Sequence, residues 1–300
     1  MGIDGVLVID KPSGPTSHDV VARVRRALKT KRVGHTGTLD PMATGVLPLV
    51  IGRATRLAFL LSSDRKSYDA GVRLGCATDS HDAAERMAAG LAPPTAPDIQ
   101  RGQVEAALEA FRGEFMQTPP TYSAKKIGGI AAHRLARRDR PVEPAPVRVT
   151  VHELSLLGFD DGLVRLRLTV SAGFYVRSLA HELGQKLGCG AHLETLRRTA
   201  AGAFGLDDAV PLDQLEAEGT DAEGRLIPLE RLLPEIPSVR LNERGTTRVS
   251  HGNWVGPAEF AHDGQPVSEG KVRLLDDAGR LLAIANASGD GLLHPAVVLV

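Results

Sequence analysis

The stretch HTGTLDPMATGVLPL, residues 35 to 49, sets one carboxylate, Asp40, in a turn framed by glycines. Gly34, Gly37 and Gly45 can adopt backbone angles that other residues avoid, so a substrate can approach the main chain closely there. Pro41 confines Asp40 to extended geometry and removes a backbone donor from the turn. A carboxylate held in this way can attack an electrophilic carbon and later leave it, which makes Asp40 a candidate nucleophile. An Asp-Pro turn whose carboxylate caps its own backbone fits the same local string. What separates the two readings is which other residues face Asp40.

The elements that must hold this loop are legible on either side of it. Val46 to Ile51 is a continuous apolar run closed by Gly52, a buried strand that anchors the loop to a core. Val6 to Ile9 is another strand, and DVVARVRRALK (19 to 29) places Val20, Val21, Val24, Ala27 and Leu28 at helical spacing with Arg23, Arg25, Arg26 and Lys29 largely elsewhere. Residues 53 to 61 predict a helix, 68 to 74 an alternating strand, 88 to 98 an irregular Ala/Pro-rich connection and 103 to 111 a helix. Pro119-Pro120, Lys125-Lys126, Gly128-Gly129 and an Arg-rich stretch make 116 to 147 read as a mobile basic arm. Strands at 147 to 157 and 163 to 171 and a helix at 176 to 187 follow. Residues 205 to 236 read as an acidic linker, and 238 to 300 as short strands between Gly, Asp and Asn turns, the pattern of a small β-barrel.

A chain of 300 residues accommodates one large domain and one small one. At 42% hydrophobic and 24% charged residues its composition is that of a globular protein, which excludes a disordered chain. The first segment lacks the basic start and longer apolar core of a signal peptide, and no apolar run reaches membrane-spanning length, so a cytoplasmic location away from membranes is expected. Cys76 and Cys189 are too few for a disulfide framework. The His and Cys residues form no close ligand pairs, so no metal site is expected, and no P-loop is present.

The formal charge is zero, which on its face speaks against a polyanionic partner. Its distribution reverses that inference. Residues 1 to 60 carry nine Lys/Arg against four Asp/Glu, residues 112 to 148 eight against three, and residues 205 to 236 two against nine. A basic face with an acidic back is therefore compatible with the neutral total.

The loop around Asp40 resembles the catalytic loop of the bacterial tRNA pseudouridine synthase B family, whose reaction isomerises uridine 55 of the tRNA T-loop. Further segments match in order: LVIDKPSGPTS (7 to 17), KSYDAGVRLGCATDS (66 to 80), TPPTYSAKKIGG (118 to 129), GFYVRSLAHELGQKLGCGAHLETLRRT (173 to 199) and LLAIA (281 to 285). The resemblance spans nearly the whole chain. It implies an α+β pseudouridine synthase fold, a mixed and largely antiparallel sheet flanked by helices and loops, over residues 1 to 236. It also implies a PUA-like RNA-binding domain over 237 to 300.

The resemblance further assigns roles. Arg177 is the guanidinium partner that favours the ionised form of Asp40. Tyr68 stacks on the target base and serves as general base for the C5 proton. His35 is the wedge that helps extrude the nucleotide from its stack, while Tyr175 and Leu196 line the uracil pocket. Lys11, Lys125, Lys126, Arg197 and Arg198 are candidates for phosphate contact. The reaction is an isomerisation with no redox change, so no cofactor is required. The implied partner is the T-arm of tRNA, met by a monomer without a protein partner.

Two other functions fit parts of the chain. A guide-RNA-directed pseudouridine synthase shares the Lys-Pro-Ser start and the Asp loop, but TPPTYSAKKIGG and the arm after it resemble the stand-alone form. A non-catalytic tRNA-binding or RNA-chaperone protein would keep the arm and C-terminal domain and leave Asp40 structural. The chain departs from the family pattern at residues 133 to 140, HRLARRDR, where a tyrosine-containing arm is usual. It departs again at Gly173-Phe174, where Gly-Thr is common, a change expected to affect packing.

Overall fold

Alternation of apolar and polar residues sets much of the main sheet. In Leu163–Val170, Val164, Leu166, Leu168 and Val170 are buried, while Arg165 and Arg167 face outward onto Asp160 and Asp69. That period of two marks a strand with one face in a core. Strands buried on both faces are continuous apolar runs instead. Gly5–Lys11 and Thr44–Ile51 are of this kind: Leu7, Ile9, Leu47 and Leu49 enter one core, and Val6, Val8, Val46 and Val50 enter a second on the opposite face.

The structure is a computed structural model that describes residues 3–62, 65–92, 94–122, 144–261 and 267–300, and the backbone of 126–127 and 130–131. Its strands are β1 Gly5–Lys11, β2 Val33–His35, β3 Thr44–Ile51, β4 Lys66–Leu74, β5 Gly113–Gln117, β6 Lys126–Ile127, β7 Ile130–Ala131, β8 Val147–Asp160, β9 Leu163–Val170, β10 Ala191–Ala201, β11 Phe204–Gly205, β12 Val210–Pro211, β13 Ser238–Arg240, β14 Gly270–Leu275, β15 Leu281–Ala287 and β16 Leu293–Val298. Among the described residues ten strands form one sheet in the order β12-β1-β3-β10-β4-β9-β8-β5, with β2 added to β3 and β11 to β10. Within this sheet, among the described residues, only β1/β12 and β3/β10 are parallel. This is the mixed, largely antiparallel α+β architecture that the sequence led us to expect.

The helix Ser17–Ala27 forms as its spacing predicts. Thr16 and Asp19 make a reciprocal capping box at its start, and Val20, Val21 and Val24 are buried. Its basic face is partly neutralised, because Arg23 pairs with Asp213 and Glu216. The acidic stretch is therefore not a linker in the extended sense. It contains the helix Leu212–Glu218, whose Leu212 and Leu215 enter the main core beside Ala222.

Other expectations shift in detail. Residues 53 to 61 divide into a 3-10 turn, Gly52–Leu57, and a short helix, Ala58–Ser62. The central strand β10 was not foreseen, since its His, Glu and Arg residues hide the alternation. The hairpin β5/β8 closes at Gln117 opposite Val147, so the two ends of the basic arm are adjacent in the sheet.

At the C-terminal end, β13-β14-β15-β16 form a four-stranded sheet with its own core of Val239, Leu241, Val249, Val272, Leu274 and Leu293. Leu281, Ile284 and Leu299 join the second core beneath β1 and β3. The helix Glu243–Ser250 crosses this region, and its Gly-Thr-Thr content gave no helical signal. No helix among the described residues is long and apolar enough to cross a membrane.

Of the three glycines around Asp40, only Gly45 takes a positive φ, 99°. What approaches it is the backbone of β10: a Cβ at Gly45 would lie 2.1 Å from the Arg198 carbonyl oxygen. Gly45→Ala is thus expected to destabilise the fold by about 3 kcal/mol, strain and clash together, read as a lowered denaturant midpoint.

Candidate active site

The loop that carries Asp40 is fixed through its carbonyls. Arg198 donates to Gly37 O (3.1 Å) and Val46 O (2.6 Å), and Ser17 Oγ to Leu39 O (3.1 Å). Lys11 Nζ donates to Pro12 O (2.9 Å), Pro41 O (3.1 Å) and Ala43 O (2.7 Å). Lys11 is fully buried and Arg198 nearly so. Burial, opposed by Asp40 and reinforced by Arg198, pulls the Lys11 ammonium down to about 8.

These placements correct the expected phosphate contacts. Lys11 and Arg198 are buried, with donors turned onto the main chain of the catalytic loop. Arg197 is the half-exposed member of its pair, and Asp10 takes its guanidinium at 2.8 and 3.1 Å. Lys125 and the side chain of Lys126 lie outside the described residues, as do residues 133 to 140.

Asp40 does not cap its own turn. Its carboxylate meets Arg177, in the first turn of the helix Val176–Lys186: Nη2 donates to Oδ1 at 3.1 Å, and Nε lies 2.9 Å from Oδ2 as an ion-pair contact off the hydrogen-bonding line. The guanidinium also donates to Ser80 O (3.1 Å) and Tyr122 O (2.9 Å), and stands 3.7 Å from Asp82 Oδ2. Burial pushes the Asp40 carboxyl above the ordinary carboxylate range; Arg177 pulls it back and the Asp82 charge adds to the rise. The downward pull expected of Arg177 is present, and desolvation outweighs it.

A cavity of about 640 Å³ opens above this pair, a size suited to a small ligand. Asp40, Tyr68, Leu196, Tyr175 and His35 all line it. Register explains the convergence: Tyr68 on β4 stands opposite Arg198 on β10, Leu196 two residues along faces Ala70, and β3 flanks β10 on its other side. His35, at the end of β2, stacks edge-on to His18 with ring centroids 5.5 Å apart. Burial lowers its pKa, leaving a neutral imidazole at neutral pH. Phe174 packs edge-on to Phe115 (6.4 Å), so the departure from Gly-Thr does serve packing.

The sequence did not reveal several residues that set this geometry. Asp82 is buried beside Arg177 and is held by Ser80 Oγ (2.9 Å) and Ala84 N (3.0 Å). Gln117 is buried with its amide clamped to both backbone groups of Tyr175, at 2.8 and 3.1 Å. His81, at φ 60°, stacks flat on His181 with centroids 3.9 Å apart, one turn after Arg177. Asp82 and Gln117 lie far from Arg177 in sequence, so no spacing could link them.

Comparison with known proteins agrees along the chain. Residues 25–176 match the TruB family pseudouridylate synthase (N terminal domain), 177–234 the tRNA pseudouridylate synthase B C-terminal domain, and 237–299 the Pseudouridine synthase II TruB, C-terminal. The chain is 48% identical over 305 residues to a tRNA pseudouridine synthase B from Solibacter usitatus, covering 99% of this chain and 100% of that one. It is 41% identical to one from Dehalococcoides mccartyi, covering 99% and 97%. Among solved structures it is similar to a chain of an H/ACA RNP bound to a substrate RNA containing 2′-deoxyuridine, with TM-score 0.72 and 25% identity over 99% of this chain and 85% of that one. A chain of an archaeal box H/ACA sRNP complex gives TM-score 0.73 and 26% identity over 99% and 86%.

The electrostatics of the pair can be read directly. The Asp40 carboxyl is expected to titrate above its ordinary 3.8, to move higher in Arg177→Gln and to move lower in Asp82→Asn. Carbon-13 NMR of labelled aspartate, followed from pH 3 to 8, checks all three directions.

Proposed function

This chain belongs to the TruB family of pseudouridylate synthases, and on that premise we propose that it isomerises uridine 55 of the tRNA T-loop, with Asp40 as the nucleophile. The observation that carries the reading is the Asp40–Arg177 ion pair at the floor of a cavity lined by Tyr68, Leu196 and Tyr175. A paired carboxylate facing an apolar, aromatic-lined slot suits attack on a flipped nucleoside.

The isomerisation breaks the N1–C1′ bond, turns the uracil and forms a C5–C1′ bond. The C5 proton leaves and N1 gains one, so atoms and charge balance without a cofactor. Asp40 acts as an anion that bonds to carbon and later departs, and the guanidinium of Arg177 orients it and holds its charge. Tyr68 offers a ring for stacking and a hydroxyl for the C5 proton. The neutral imidazole of His35, at the rim, takes the space that the extruded nucleotide vacates.

We favour direct action on tRNA, by a cytoplasmic monomer without guide RNA or protein partner. The relatives named tRNA pseudouridine synthase B are similar to this chain at 41–48% identity over almost its full length, against 25–26% for the RNP chains. The division into a synthase domain up to residue 236 and a smaller RNA-binding domain after it is part of the same reading.

Bare T-arm RNA incubated with the purified chain should form pseudouridine at one uridine, detected as tritium released from C5-labelled substrate. Asp40→Asn is expected to lower single-turnover rate on the order of 10⁴-fold while still retaining tRNA on a filter. Retained turnover in that variant would remove Asp40 as the nucleophile, and no turnover in the wild type would remove the enzyme reading and leave RNA binding alone. Tyr68→Phe should keep affinity and lose at least 10²-fold in rate, the ordinary size of a general-base contribution.

A further inference from the structure

A second concavity, of about 440 Å³, lies away from the catalytic cavity and is walled by five cations: Arg25, Lys31, Arg32, Arg53 and Arg56. All five are exposed. Among the described residues only Arg53 has a carboxylate within ion-pair distance, Asp4 at 2.8 Å. A group of like charges repels itself and is costly to assemble unless an anion joins it.

This group is held together by the backbone. Arg25 donates to Val33 O (2.8 Å), Arg53 to Leu299 O (2.8 Å) and Arg56 to Val298 O. Arg32 O accepts from Gly52 N (2.9 Å), and β2 pairs with β3 from Val33 opposite Ile51. Lys31 and Arg32 therefore project from a fixed frame with uncommitted charge.

Position indicates the ligand. Arg32 immediately precedes β2 and His35 ends it, about 10 Å apart at the usual strand rise, and His35 lines the catalytic cavity. On the other side Arg53 and Arg56 donate to the carbonyls of Leu299 and Val298, at the end of the C-terminal sheet. The cations thus bridge the catalytic cavity and the C-terminal unit, along a front longer than a single phosphate needs.

We propose that this cavity binds consecutive backbone phosphates of the tRNA strand that leads away from the flipped uridine, with Lys31 and Arg32 as the principal contacts. The assignment rests on the reading of the chain as a tRNA-modifying enzyme. Phosphate contacts position an RNA and carry no sequence readout. They set affinity, its salt dependence and the register of the loop over the catalytic cavity.

The test uses the full chain with Lys31→Ala/Arg32→Ala and full-length tRNA. Filter binding across a range of salt should show affinity reduced at least about tenfold near physiological salt, and the log K against log salt slope reduced by about 1.4 to 1.8, the value for two lost phosphate contacts. A thermal unfolding midpoint equal to that of wild type certifies the fold. Lys31→Glu/Arg32→Glu should weaken binding further. Unchanged affinity and slope in the folded variant would overturn the proposal. So would inorganic phosphate at millimolar concentration saturating the site of the wild type, but not of the variant, without displacing tRNA, since that marks a free-anion site. A wild type that neither binds nor modifies tRNA would instead sink the enzyme reading.

Discussion

The structure is organised around one constraint, a carboxylate, Asp40, set in a buried site where desolvation works against its charge. Arg177 is the direct answer, buried itself and shared among Asp40, Ser80 O and Tyr122 O. A buried guanidinium calls for close partners, because an unmet charge in a low-dielectric interior is far more costly than an unmet neutral group; here Nη1 and Nη2 have acceptors and Nε meets Asp40 as an ion pair alone. That requirement reaches outward. The Tyr175 backbone is clamped by Gln117, Ser178 Oγ donates to Thr118 O at 2.8 Å, and Asp82 balances the guanidinium from its far side. Asp82 has a second effect. Its charge raises the Asp40 carboxyl, so the residue that helps hold Arg177 also works against the ionisation that Arg177 favours.

The catalytic loop meets the same constraint by another route. A turn containing Pro41 has few backbone donors of its own, and its carbonyls at 37, 39, 41 and 43 are met by Arg198, Ser17 and Lys11. An ammonium suits this role because it offers three donors in a compact group. Its burial costs charge stability, which is why Lys11 falls to about 8. Lys11, Arg177 and Arg198 around Asp40 and Asp82 leave the floor of the cavity with more positive than negative charge, a field that favours both the ionised nucleophile and an approaching phosphodiester.

Much of this was legible in the sequence, and the omissions have a common cause. Apolar runs and the period of two located β1, β3, β4, β8 and β9, and the capping box with its valine spacing located the helix Ser17–Ala27. The pairing of Asp40 with Arg177 and the placement of Tyr68, Leu196, Tyr175 and His35 around one cavity followed from the motifs. Hidden were features set by tertiary contact alone. The strand β10 carries His192, Glu194, Arg197 and Arg198, so its pattern looked like a charged motif. Lys11 and Arg198 looked like phosphate ligands because type and charge are visible in a sequence and burial is not. Asp82 and Gln117 joined the site only when folding brought the first to Arg177 and the second to the Tyr175 backbone. The acidic stretch 205 to 236 looked like a linker because charge masked the leucines that dock its helix.

The root of the basic arm and the catalytic arginine are mechanically one unit. The arm leaves the sheet where β5 and β8 pair for the last time, at Gln117 and Val147, and Val147 and Arg148 line the catalytic cavity. Over the next five residues the chain is bound three times to the Arg177 helix, through the Gln117 amide, Thr118 O and Tyr122 O. The last of these is an acceptor for Arg177 itself. Without the Tyr122 carbonyl the buried guanidinium would lose one partner, and its remaining acceptors would be Ser80 O and Asp40. The attraction of Arg177 for the carboxylate, and with it the Asp40 charge, is in this way tied to the backbone at Tyr122, the last described residue before β6.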